Sequence, residues 1–305
     1  MSGRNSESRR RRLLQRGLMG ETPQYDAAPL ADPDPGAEFE NEISESPAPA
    51  EVAARSFLGT SSKDLSRSNG KLPSASNPRP RVPCGAGLAT IKSLLAGTQP
   101  LTWVFTGDNT VQGAFYTHGQ RSCVEIFSER LRAELRRSMD VVINTGISGD
   151  TVAYALSTLR WRVLRFKPDV VVVGLGLNDA KAGPEGLPEF EIQTQELLDE
   201  IRTQGAIPLV ILPHPICEAA ISNRETLPDY VEALRNVAAR DEVPCVDHWN
   251  YWQKHWPSQA ATRKRLHEGR MHLNAEAHAQ LAALMFETLG IFDSQSACCK
   301  SARLP

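Results

Sequence analysis

An α/β fold, a three-layer α/β/α sandwich on a parallel sheet, is what the sequence beyond residue 85 predicts. Three observations carry that expectation. Short apolar runs alternate with segments whose apolar residues recur at helical spacing, the pattern of right-handed βαβ crossovers. One run, Asp169 to Leu175, holds four consecutive valines, and a strand apolar at every position is buried on both faces. Polar turns (Gly107-Asp108-Asn109, Ser148-Gly149 and Asn178-Asp179) directly follow the first three runs.

The elements follow in order. Leu88 to Gly97 reads as a short helix ended by glycine. Leu101 to Thr106 is strand one. Ser122 to Arg137 places Val124, Phe127, Leu131 and Leu135 on one helical face. Val141 to Asn144 is strand two. Asp150 or Thr151 caps a helix with Val152, Ala155, Leu156, Leu159 and Val163 on its apolar side. Strand three is the valine run. Pro188 to Thr203 reads as a helix with proline near its first turn and Gly205 beyond its end. Ile207 to Leu212 is strand four, Leu227 to Arg240 a helix, Val243 to Val246 strand five, and Ala275 to Leu289 a closing helix stopped by Gly290. Five such strands predict the flavodoxin-like order 2-1-3-4-5, with ligands bound beyond the carboxyl ends of the strands.

Residues 1–85 are rich in Pro, Ser, Ala, Arg and Glu without a sustained apolar period, so they read as a disordered arm. The folded domain is expected over 86–291 and a short tail over 292–305. The arm carries a basic run, Arg9 to Arg12, and acidic residues from Asp32 to Glu45. The net charge of the 305 residues is only −2, which gives no reason to expect nucleic acid or an anionic membrane as partner. No secretory signal and no membrane span is expected. The six cysteines show neither metal-ligand spacing nor a disulfide framework, and a cytoplasmic compartment follows from that. Gly174-x-Gly176 lacks the third glycine and the acidic residue of a dinucleotide loop.

The polar turns, together with His272-Leu273-Asn274 before the last helix, form four blocks in a fixed order. With them the chain resembles the SGNH (GDSL-type) ester hydrolases, and the resemblance spans about residues 87–291. It implies hydrolysis of small carboxylic or carbohydrate esters, a small ester or acylated carbohydrate as ligand, and no cofactor or metal. In that family a serine attacks, backbone N–H groups and an asparagine hold the oxyanion, and a histidine oriented by an aspartate is the base. Carried over, Asn109 stands at the nucleophile position. Gly149 and Asn178 match the oxyanion donors, and His272 matches the base. Asp108 holds the first turn, and Thr110 and His118 are further expected substrate contacts, with Tyr116 and Arg121 in the same loop.

Two positions depart from the pattern. Asn109 has no hydroxyl to activate. The residue three before His272 is Gly269 rather than aspartate, leaving Glu268, Asp247 and Glu276 as candidates to orient the imidazole. Thr110 carries a hydroxyl but sits one residue out of register. Trp249, Trp252 and Trp256 recur at helical spacing near His272, which fits core packing or a sugar platform. Three functions are compatible with these residues: an active esterase working through an unusual nucleophile or water, a non-catalytic protein that binds an ester, carboxylate or acetylated glycan, and a partner-binding role for the arm.

Overall fold

A computed structural model of the chain describes residues 87–217, 223–267 and 271–300. The arm, Glu268, Gly269 and the last five residues lie outside the described residues. The sheet has five strands, all parallel, in the order β2-β1-β3-β4-β5. They are β1 (Thr102–Gly107), β2 (Val141–Asn144), β3 (Val170–Gly174), β4 (Ile207–Ile211) and β5 (Cys245–Val246). This is the expected fold class and strand order.

Alternation along the strands builds two cores. Trp103, Phe105, Val170, Val172, Ile207, Leu209 and Ile211 face one side, against helices α1 (Leu88–Ala96), α3 (Cys123–Glu129), α7 (His248–His255) and α9 (Ala275–Leu289). Val104, Val171, Val173 and Val210 face the other, against α4 (Val152–Arg162), α5 (Gly183–Thr203) and α6 (Leu227–Arg240). The short helices α2 (Asn109–Gln112) and α8 (Gln259–Arg263), with α10 (Ala297–Lys300), complete the set. Among the described residues no helix is long and apolar enough to cross a membrane.

Several elements differ from expectation for local reasons. Helix α3 starts with a capping box between Ser122 and Glu125 but gives way to a π-helical stretch at Arg130–Glu134. Helix α5 begins at Gly183, so the first-turn proline is Pro184 and Pro188 lies inside the helix; a proline there forfeits one backbone bond without ending the helix. The tryptophan segment is core: Trp252 and Trp256 are buried and Trp249 packs against the second cluster. In the expected tail, Cys298 and Cys299 are buried in the first core cluster, and Glu134 accepts the Cys298 N–H at 3.1 Å.

The turn after β1 depends on one glycine. Gly107 has φ +153°, and a Cβ there would stand 2.1 Å from the Gly174 carbonyl oxygen, which itself accepts the Asp108 N–H at 3.0 Å. Gly149 also has positive φ, +85°, but faces open space. The two should therefore respond differently to alanine. Gly107→Ala meets both strain and backbone overlap and should cost more than about 3 kcal/mol. Gly149→Ala meets strain alone and should cost about 1–2 kcal/mol. Chemical denaturation of both variants checks this, and equal losses would contradict it.

Candidate active site

The rim at the carboxyl ends of the strands is stitched together by backbone and side-chain bonds. Asp108 donates to Gly174 O, joining the first block to the end of β3, and Ile147 N donates to Gly107 O at 2.8 Å, joining it to the second. The Asn178 amide donates to Asp150 O at 3.2 Å, joining the third block to the second. The Tyr116 hydroxyl and Ser148 Oγ lie 2.9 Å apart, and the Tyr116 ring stacks on His272 at 3.7 Å. That chain of contacts brings His272 to the second block. The loop bearing His272 does not follow β5 directly, as expected. Helices α7 and α8 intervene, and a bridge between Leu266 and Leu273 shapes the loop.

Asp108 caps α2, its carboxylate accepting the Thr110 N–H at 2.8 Å. Burial pushes its carboxyl up to about 7, against the pull of bonds from the Thr110 backbone and side chain. Asn109 opens α2, so its N–H has no intrahelical acceptor. Its side chain is 2% exposed, and both amide atoms lack a partner among the described residues. The Gly149 N–H, in an exposed turn, is likewise unbonded among them. Asn178 keeps one amide hydrogen after bonding Asp150. Asp179 accepts N–H groups from Val152 at 2.9 Å and Gly176 at 3.1 Å, clamping the turns of the second and third blocks. Burial raises its carboxyl to about 6.

His272 Nδ1 is buried without a partner among the described residues. Burial first, then the charges of His214, His267, Arg224 and Lys181, push the imidazole down to about 3. Two of the candidate orienters are engaged elsewhere. Asp247 caps α7 through Asn250 and pairs with Arg235, while Glu276 pairs with Arg265 and Gln280. Glu268 and Gly269 fall outside the described residues. His118 is exposed and packs on His267 at 4.6 Å beside Tyr116 and Phe115. Arg121 does not turn inward; it pairs with Glu129 on the surface.

Three features carry no sequence signal of a site. Arg162, in the last turn of α4, reads as an ordinary helix-end cation, yet it forms a buried ion pair with Asp150 at 2.7 Å and donates to Thr106 Oγ. Arg224 sits in a non-periodic loop, 7% exposed, donating to Leu177 O at 3.1 Å and Asn178 Oδ1 at 3.5 Å. Lys181 stands exposed on the turn after Asn178, near Arg224. Among the described residues no His, Cys, Asp or Glu group is arranged to hold a metal.

A parallel sheet whose rim gathers a turn after each of its first three strands beside a histidine loop defines a hydrolase-type α/β domain. The family model described as GDSL-like Lipase/Acylhydrolase matches residues 105–280, more than half the chain, and the chain belongs to that family. An uncharacterized protein of Mycoplasma pneumoniae (strain ATCC 29342 / M129 / Subtype 1) is 28% identical over 153 residues, which are 48% of this chain and 17% of that protein. The chain thus matches only a small part of that relative's length. The uncharacterized lipoprotein YqeF of Bacillus subtilis (strain 168) is 25% identical over 170 residues, covering 48% of this chain and 70% of that one.

Among solved structures, LAE5, an alpha/beta hydrolase enzyme from the metagenome of Lake Arreo, Spain, superposes with TM-score 0.52 at 21% identity, over 65% of this chain and 99% of its own. The acetyl xylan esterase AlAXEase gives 0.53 at 19%, over 61% and 98%. The acetylxylan esterase Axe2 from Geobacillus stearothermophilus gives 0.50 at 21%, over 63% and 95%. These likenesses show the shared fold.

The shift at Asp108 has a testable sign. The folded chain holds its proton more tightly than the unfolded chain, whose carboxyl titrates near 3.8. The resulting stability is complete below that value and is lost as pH rises through about 7. Asp108→Asn keeps a good cap and removes the titration. The variant's melting temperature relative to wild type should rise between about pH 5 and pH 8. A difference that stays flat or falls over that range would contradict the assignment.

Proposed function

We propose that this chain is a ligand-binding member of its family in which ester hydrolysis is lost or greatly reduced. The observation that carries this reading is Asn109: a buried amide, with neither polar atom partnered among the described residues, at the position where the family places its attacking serine. An amide is not deprotonated near neutral pH, so no alkoxide forms there. The adjacent Thr110 carries a hydroxyl but stands one residue out of register, and its backbone N–H donates to Asp108.

The base side of the reaction is weakened as well. A general base works best with a pKa near the operating pH, and His272 is pushed far below it, to about 3. Gly269 supplies no carboxylate to hold the ring tautomer. In a serine protease, losing that partner's charge costs about 10⁴ in rate.

The donors that would grip an acyl oxygen remain: the N–H groups of Asn109 and Gly149 and the spare amide hydrogen of Asn178. In an enzyme such a donor contributes about 3–4 kcal/mol to the transition state; here the same donors bind a ground-state oxygen. Two of the similar solved structures are acetyl xylan esterases by name, which makes an acylated carbohydrate or its acid the ligand class to try first.

Hydrolysis of a short-chain aryl ester by wild type, Asn109→Ser and Asn109→Ser/Gly269→Asp tests this. The wild type should show no more than the roughly 10³–10⁴-fold acceleration over water that binding and an oxyanion site give alone. The double variant should exceed it by about 10²-fold or more. Wild-type turnover that vanishes on His272→Ala, or labelling of Thr110 by a serine-directed phosphonate, would overturn the proposal.

A further inference from the structure

Arg224 has no role in the chemistry the family blocks imply, and its surroundings are unusual. The side chain is buried, yet among the described residues its hydrogen-bond partners are all neutral oxygens: Leu177 O for Nε, Asn223 Oδ1 for Nη1 at 2.7 Å and Asn178 Oδ1 for Nη2. Among the described residues no carboxylate forms an ion pair with it. A buried cation left with neutral partners is costly. Asp108 lies near enough to favour the guanidinium charge, but its carboxyl is raised to about 7 and bonded to Thr110, so it is only partly ionised near neutrality.

Other donors lie on the neighbouring turns of the rim. A guanidinium has five N–H groups, and the described residues accept from three of them. Asn178 keeps one amide hydrogen, and its carbonyl oxygen is fixed toward Arg224, which turns the NH₂ group to Asp150 and the pocket. The buried Asn109 amide adds unpartnered N–H donors. Lys181 adds a second cation at the rim; it and Arg224 both lower the proton affinity of His272. Donors and positive charge without a nucleophile suit a ligand that only accepts hydrogen bonds.

We infer that the pocket is a carboxylate site in which Arg224 and the Asn178 amide hold the ionised carboxyl group of a small organic acid, in preference to a neutral ester. This rests on the reading that the pocket binds without turning over. A planar carboxylate matches the fork of a guanidinium, and charge-assisted bonds of that kind are roughly twice as strong as neutral ones.

The test is a titration of the full chain with sodium acetate and, separately, with its neutral isostere acetamide and with methyl acetate, followed by the NMR shift of the Asn178 side-chain amide. Acetate should bind at least about tenfold more tightly than acetamide. Arg224→Gln should remove that preference, leaving acetamide binding unchanged. Lys181→Gln, at an exposed position, should weaken acetate about two- to threefold and provides a variant whose folding is not at risk. Equal binding of acetate and acetamide, or a preference that survives in folded Arg224→Gln, overturns the inference while leaving the pocket reading intact. If none of the three ligands moves Asn178, both fall together.

Discussion

The buried pair of Asp150 and Arg162 holds the rim in its shape. Both side chains are almost fully enclosed, at 0% and 4% exposure. Removing two charges from water is costly, and the attraction between them offsets that only when the remaining donors and acceptors are satisfied. Here Arg162 also donates to Thr106 Oγ at the end of β1, to Thr145 O just beyond β2 and to Thr158 on its own helix, while its Nε has no partner among the described residues. Asp150 in turn accepts the Thr151 N–H, and its backbone carbonyl takes the Asn178 amide. One ion pair thus fixes the relative positions of the turns after β1, β2 and β3.

The electrostatics of this rim separate two tasks that a hydrolase combines. Holding an oxyanion needs aimed donors and positive potential; abstracting a proton needs an imidazole with appreciable basicity. Arg224 and Lys181 oppose the second, because their positive charge discourages protonation of His272. In the family pattern an aspartate beside the histidine balances the two. Here glycine stands at that place and an amide at the nucleophile position, the departures on which the proposed binding role rests. His272 has an aromatic surround, with Tyr116 stacked on it and the exposed Phe115 edge-on to Tyr116.

Much of this was legible in the sequence because the relevant signals are local and periodic. The four valines of β3 announce a strand covered on both faces, and the helix from Leu227 to Arg240 shows its buried face at helical spacing. The polar turns mark the rim because such turns follow strands directly. What was not legible depends on long-range partners. Arg162 and Thr106 are 56 residues apart, and no spacing rule links them. Arg224 lies in a loop without period, so its burial shows only once β4 and the turn at Leu177 are placed beside it. The Trp249–Trp256 stripe fitted either core or platform, and the packing of Trp252 against Thr262 and Trp256 decided for core. Cys298 and Cys299 looked like tail residues because nothing local reveals that Glu134 accepts the Cys298 N–H and the Ser296 hydroxyl, with Ser296 in turn accepting the Cys299 N–H.

The central claim, a pocket that retains its grip and has lost its base, is read most directly from the proton affinity of His272. Its ring nitrogens can be followed by NMR across the acid range in the full chain. The account predicts an imidazole that stays neutral down to well below pH 5, with a midpoint near the about 3 that its burial and cationic neighbours impose. A midpoint at or above the ordinary histidine value of about 6.5 would mean an anion beside the ring and a base fit for catalysis, and would contradict the account.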